Sequence, residues 1–244
     1  MKHESVEINA GLLIVLTLAV ISIGGLVEIV PLFHIKDTVE EVKGVRPYTP
    51  LELRGRDLYI REGCYACHSQ MIRPFRDEYL RYGHYSLAAE SKYDHPFQWG
   101  SKRTGPDIAR LGEKYSDQWQ TQHLVKPQAL VPESIMPAYP WLLSNDLKYS
   151  DIENRMKALK ATGVPYSLTA DEYQANVTNF GQPMADKLHI PNATATLEAE
   201  AKGRDWDGQK DRISEMDAMV AYLQMLGTLV DFKKYDQGYF ASFR

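Results

Sequence analysis

Gly63-Cys64-Tyr65-Ala66-Cys67-His68 is the stretch on which the reading of this 244-residue chain turns. It holds both cysteines of the sequence, three positions apart and followed at once by a histidine. Cys-x-x-Cys-His is the attachment sequence of c-type haem. In that chemistry two thiols add to the two vinyl groups on one porphyrin edge, and the two-residue spacer matches the separation of those groups. The imidazole directly after the second thiol becomes the proximal iron ligand. Cys64 and Cys67 are therefore candidate attachment residues for one covalent haem c, and His68 is a candidate axial ligand. Two other uses of the motif compete. A thioredoxin-like redox pair would need a βαβ context that the pattern does not offer, and a zinc site would need two further good ligands where no second cysteine pair exists.

A low-spin electron-transfer haem takes a sixth ligand from the opposite face, usually Met or a second His. Met71 stands three residues past His68 and cannot wrap around the ring; Met156, Met216, Met219 and Met225 fall in predicted helices. Met136 sits between Ile135 and Pro137 in a loop that also holds Pro127, Pro132 and Pro140, where a stiff backbone leaves the side chain free to project. It is the leading candidate, against a plain core-filling role. Met184, next to Pro183, is the weaker one, and His123, in the helix before the loop, is the histidine alternative. Gly105-Pro106-Asp107 follows Lys102 and Arg103. A backbone carbonyl near Pro106 is placed to accept the His68 Nδ1 proton and fix the ring, and Arg103 to meet a haem propionate; an ordinary Gly-Pro turn with solvated bases is the alternative.

Around this core the chain reads as mainly helical. An uncharged apolar run, Ala10 to Val27, gives about 27 Å of helix, and past Glu28 it continues through Phe33 far enough to cross a hydrocarbon core. A cleaved signal peptide is the alternative, but the segment before the run carries Lys2, Glu4 and Glu7 rather than a basic patch. The expected order is a short segment over 1–8, a membrane anchor over 9–33, a tether over 34–48, a haem-bearing domain over 49–228 with an insertion at about 144–210, and an aromatic tail over 229–244. Thr49, Pro50 and Glu52 predict a capped helix start with Leu51, Leu58 and Tyr59 on one face. Residues 79–104 lack a sustained period and read as irregular, and Ser116 with Asp117 caps a helix ending before Pro127. The insertion reads as polar, with helices near 150–161 and 170–188. A last helix over 211–226 carries the stripe Ile213, Met216, Val220, Leu223 and Leu226, with Gly227 as its stop. The tail, with Phe232, Tyr235, Tyr239, Phe240 and Phe243, suits either a docking strip or a fold-back onto the domain. Asn176 and Asn192 fit the glycosylation pattern.

Composition excludes other classes. With 28 Lys and Arg against 32 Asp and Glu the formal charge is -4, which gives no basic excess for a nucleic-acid partner. Nothing resembles a nucleophile with its base, a phosphate loop or a paired-carboxylate site, so no catalytic machinery is expected on this chain itself.

The runs Cys64 to Phe75, Trp99 to Asp107 and Pro132 to Trp141 resemble the mono-haem subunit, subunit II, of cbb3-type cytochrome c oxidases. The likeness is close over about residues 9–143 and loose in the insertion, with no departure at the haem-binding positions. It implies a class I cytochrome c fold, Cys64 and Cys67 as thioether ligands, and His68 with Met136 as the axial pair. It also implies partners: a di-haem c subunit or donor cytochrome that supplies electrons, and a membrane subunit with b-type haem and copper that receives them, reduces oxygen and pumps protons. On this resemblance the chain is a single-pass protein of the bacterial inner membrane with residues 34–244 in the periplasm, and residues 79–104 and the tail face partners. The anchored cytochrome c subunit of a nitric oxide reductase and a free-standing anchored shuttle are the rival readings.

Overall fold

Thr49 begins the first helix of the domain as its sequence dictates: the Thr49 backbone N–H donates to Glu52 Oε2 at 2.8 Å, while Pro50 occupies the first helical position. The structure is a computed structural model that describes residues 3–32, 39–100, 102–235, 237–241 and 243. Its helices are α1 (His3–Glu7), α2 (Ala10–Leu32), α3 (Pro50–Arg61), α4 (Arg76–Tyr82), α5 (Asp117–Val125), α6 (Trp141–Ser144), α7 (Ile152–Ala161), α8 (Ala170–Phe180), α9 (Gln182–Lys187), α10 (Ala193–Gly203), α11 (Glu215–Met225) and α12 (Gln237–Ala241). No strand longer than an isolated bridge occurs among the described residues, so the mainly helical expectation holds.

The chain divides into two units. One joins Met1–Glu40 with Gln237–Arg244, the other is Glu41–Asp236. In the first, α2 has 23 residues, long and apolar enough to cross a membrane, and none of its side chains is buried by protein. A helix of that length spans about 34 Å, more than the hydrocarbon core requires. Phe33, expected to end the anchor, lies outside the described residues, as does the first part of the tether.

In the second unit α3 packs on α11. Their crossing is tight at Gly55, where an added Cβ would stand 1.9 Å from the Ala218 carbonyl oxygen and 2.6 Å from Tyr222 Cβ. Tyr48 and Tyr59 pack their rings on Tyr222 at 5.8 and 5.6 Å beside this contact. Every residue of α11 is buried. The single apolar stripe expected there is thus too narrow, because α11 packs against α5 and α6 as well as α3. The helix also starts later than expected, at Glu215, because Ser214 and Asp217 cap it: Asp217 N–H donates to Ser214 Oγ at 3.1 Å and Ser214 N–H to Asp217 Oδ2 at 2.8 Å.

The insertion departs from its polar reading. Leu147, Ile152, Met156, Val164, Tyr166, Leu188, Ile190 and Leu197 join the same hydrophobic core as α3 and α11, and Tyr166 OH donates to the Tyr48 carbonyl at 2.8 Å. The helix expected over 170–188 is two, α8 and α9, broken at Gly181 with Pro183 opening the second. A further helix, α10, outside the two expected in the insertion, packs on α3. Asn176 is no glycosylation acceptor here, since it is buried and its side-chain amide donates to the Pro165 carbonyl at 2.7 Å.

Residues 79–104 are likewise less irregular and less outward than expected. They open in α4, include a 3₁₀ turn at Ala88–Ser91, and bury Leu87, Ala89, Asp94 and Gln98. Asp94 receives Arg56 Nε at 2.8 Å and Tyr48 OH at 2.9 Å, so a buried ion pair ties this segment to α3. The tail begins as a fold-back: Phe232 stacks on His84 at 4.1 Å with the Arg110 guanidinium over its ring at 4.6 Å, and Tyr235 OH accepts from the Lys43 N–H at 2.7 Å.

Replacing Gly55 by alanine forces α3 and α11 apart, with an expected loss on the order of 1–3 kcal/mol or more, since both atoms in the way belong to helix backbone or its Cβ. A denaturant midpoint equal to that of the parent protein would show that the crossing is not tight.

Candidate functional site

Helix α3 ends at Arg61 with Glu62 as its C-cap, and Gly63 turns the chain into a 3₁₀ turn over Cys64–Ala66. Within that turn Cys67 N–H and His68 N–H both donate to the Cys64 carbonyl, at 3.1 and 2.9 Å. The three residues of the motif are thereby gathered on one tight piece of backbone that hangs from a buried helix. Both thiols are free. Cys64 is half-buried and Cys67 exposed. Burial pushes the Cys64 thiol up to about 12, with the neighbouring Glu62 acting in the same direction. Reactive redox pairs have lowered thiol pKa values, so the thioredoxin-like use finds no support.

His68 Nδ1 lies 2.8 Å from the Pro106 carbonyl. A carbonyl only accepts, so the proton sits on Nδ1 and the lone pair on Nε2, the arrangement a metal-ligating imidazole needs. Gly105 closes on the same ring: an added Cβ would come 2.3 Å from His68 Cε1, and the Gly105 N–H donates to the Cys67 carbonyl at 2.9 Å. Glycine is required here by close approach rather than by backbone conformation.

The two runs on either side of this contact are laced together. Asp107, buried, accepts from Ser69 Oγ at 2.6 Å, Met71 N–H at 2.9 Å and Ala109 N–H at 2.8 Å, while Ile108 N–H donates to the Ser69 carbonyl. Arg103 was expected to face a propionate. In the structure its Nε donates to Ser69 Oγ and its Nη2 to the Met71 carbonyl and Glu78 Oε2, each at 2.7 Å. It is a strut of the fold beneath His68. Glu78 also pairs with Arg73. Sequence reasoning missed Ser69, Glu78 and the role of Asp107, because the bonds Ser69–Asp107 and Glu78–Arg103 that tie the two runs together join residues 38 and 25 positions apart.

The methionine loop reaches the same region. Trp141 Nε1 donates to Glu62 Oε2 at 3.2 Å, beside the Cys turn, and burial together with the Cys64 and Cys67 thiols raises the Tyr139 phenol above its ordinary value. Met136 is half-buried on this loop. Gln128 clamps it: the Gln128 side-chain amide donates to the Ser134 carbonyl at 2.9 Å and to the Met136 carbonyl at 3.0 Å. No sequence pattern singled out Gln128. Met156, Met216, Met219 and Met225 are buried in the core, and Met184 lies on α9 in the insertion. His123 sits on α5, whose end is joined to the loop by the Tyr139 N–H bond to the Leu124 carbonyl at 2.8 Å. Burial, and after it the charge of His68, hold the His123 imidazole below its ordinary value.

These residues fit a haem. Two unpaired thiols at the required spacing, an imidazole with its free Nε2, and a thioether on a clamped loop are the donor set that a covalently bound haem takes. Tyr65, Val131, Ile135 and Trp141, all of the Cys turn and the methionine loop, leave apolar surface exposed, Ile135 as much as 80%. Cys64, Cys67 and His68 join no cluster of three or more His, Cys, Asp or Glu suited to a simple metal ion among the described residues.

The Arg103 guanidinium, with Arg73, holds the Glu78 carboxyl down at about 2, against an ordinary 4.5. A carboxylate with a depressed folded value stabilises the fold fully above its unfolded value, and that contribution fades as pH falls. The stability lost on acidification between about pH 4.5 and about 2 should therefore shrink in Glu78→Gln. Thermal unfolding of both proteins across that window checks it, and identical acid limbs would deny the pair its role.

A family model described as "Cytochrome C oxidase, mono-heme subunit/FixO" matches residues 3–230. No curated protein matches the chain.

Proposed function

From the premise that this chain belongs to the family of mono-haem cytochrome c oxidase subunits, the subunit II that its sequence resembles in cbb3-type oxidases, we propose that it is the electron relay of such an oxidase. In this reading it takes electrons from donor c-type haems, those of a di-haem c subunit among them, and delivers them to the b-type haem of a catalytic haem–copper subunit that reduces oxygen and pumps protons. The single observation that carries the reading is the His68 ring, fixed by Pro106 with Nε2 left open, on a turn that presents two unpaired thiols.

Cys64 and Cys67 would hold one haem c by thioether bonds, with His68 Nε2 and the Met136 thioether as the ligands of its iron. When bound, haem supplies a one-electron iron couple, whose potential a thioether ligand raises. The residues of the chain set the conditions for that couple. Pro106 and Gly105 keep His68 in one orientation, the Asp107 and Arg103 network keeps the Pro106 segment in place, and Gln128 keeps the Met136 backbone from drifting. Helix α2 supplies the anchor. Because haem c is attached on the outer side of the bacterial inner membrane, the domain belongs in the periplasm, with α2 as the single pass.

The test is a pyridine haemochrome spectrum, with mass, on the assembly purified in mild detergent. One covalent haem c on this chain, together with b-type haem and copper in larger partners, is the expected result. Non-haem iron without copper would make it a nitric oxide reductase subunit instead, purification alone would make it a free shuttle, and absence of covalent haem would overturn the reading.

Met136→Ala is expected to keep the covalent haem and lose methionine ligation, seen as disappearance of the far-red methionine–iron charge-transfer band. A band that survives would remove Met136 as ligand. Gln128→Ala should weaken the same band without removing it, since two hydrogen bonds of about 1 kcal/mol each hold the loop; an unaltered band under mild denaturant would show that the clamp is idle.

A further inference from the structure

Among the described residues, six buried side-chain nitrogens and oxygens have no hydrogen-bond partner, and one of them is His123 Nδ1. An unpaired buried polar atom costs about 1–3 kcal/mol, so a persistent one calls for a partner beyond the contacts the chain makes here. The other five belong to Arg54, Arg110, Gln120, Glu200 and Arg212; of these, Arg54, Arg110 and Arg212 make ion pairs through their other nitrogens.

The position of His123 narrows what that partner is. Its ring stacks on Trp119 at 4.6 Å and 13°, and Trp119 stacks on Tyr115, just before α5, at 3.9 Å, so a stack of aromatic rings orients the imidazole plane. One residue further, the Leu124 carbonyl accepts from Tyr139, and Gln128 clamps Met136, so α5 is tied to the methionine loop. The imidazole is also near enough to His68 for the charge of the one to oppose protonation of the other. His123 thus sits on the helix that is bonded to the methionine loop, its ring stacked on Trp119, with a buried nitrogen that has no partner.

We propose that His123 is a haem-positioning residue whose Nδ1 pairs with an acceptor brought by the loaded haem site, either a propionate carboxylate or the thioether of the sixth ligand. The proposal rests on the haem c reading above. A neutral imidazole N–H given to either acceptor favours the ferrous state: it offsets the propionate charge that stabilises ferric iron, or it draws electron density from the sulfur. Loss of the N–H therefore lowers the reduction potential.

The experiment uses the purified complex, with redox titration of its c-type haem in His123→Phe and His123→Asn. Phenylalanine keeps a ring against Trp119 and removes the nitrogen, whereas asparagine places an amide nitrogen where Nδ1 stands. The expected result is a lower midpoint potential in His123→Phe, restored toward the parent value in His123→Asn, with the haemochrome spectrum unchanged in both. A simultaneous shift of the methionine–iron band identifies the thioether as acceptor, and an unmoved band identifies the propionate. An unchanged potential in His123→Phe overturns the proposal, as does loss of low-spin ligation in that variant, which would make His123 the ligand itself. Equal falls in both variants would also overturn it, since that pattern reports packing. Absence of covalent haem from the parent complex would instead sink the haem reading on which the proposal rests.

Discussion

Helix α3 and helix α11 meet with Gly55 against the Ala218 carbonyl, and the rest of the domain is arranged around that contact. Backbone packed this closely on backbone leaves two helices with one relative placement rather than a range. The rings of Tyr48 and Tyr59 fill the space on either side by packing on Tyr222, and the core residues of the insertion close over the outside of the same cluster. Since α3 runs directly into Gly63 and the Cys turn, the crossing also fixes where Cys64, Cys67 and His68 emerge.

The site is then held by a second layer of polar contacts. Asp107 receives two N–H groups and one hydroxyl, and Arg103 bridges Ser69, the Met71 carbonyl and Glu78. Buried charges of this kind are tolerated because they are paired and hydrogen-bonded on every side. Their effect is positional: they clamp the segment after the haem motif to the segment around Pro106, and the Pro106 carbonyl in turn orients His68. For an electron-transfer haem, where the chemistry belongs to the cofactor, orientation of the ligands is what the protein has to provide.

The methionine loop is built differently. Beyond a 3₁₀ turn at Pro127–Ala129 it has no regular structure and no dense polar network, and it depends on Gln128, on the Tyr139 bond to α5, and on Trp141 reaching Glu62. The loop is thus held by a few contacts, whereas His68 is held by many. Ile135 and Val131 on the loop are exposed.

Local signals were legible in the sequence because their physics is local. The thiol spacing, the Thr49–Glu52 cap, the uncharged length of α2 and the Pro-flanked Met136 each involve residues within a few positions of one another, and together with the resemblance they were enough to indicate family, cofactor class and the ligand candidates. What required the tertiary structure involves partners far apart in the chain. Gly55 against Ala218, Asp94 under Arg56, Arg103 under Ser69 and Glu78, and the shared core of the insertion cannot be read from spacing, since a buried polar or small residue looks the same in sequence as an exposed one. Arg103 shows the difference most plainly: its charge and its place beside Pro106 suggested a propionate, and only folding revealed that Ser69, Met71 and Glu78 already occupy its Nε and Nη2 donors.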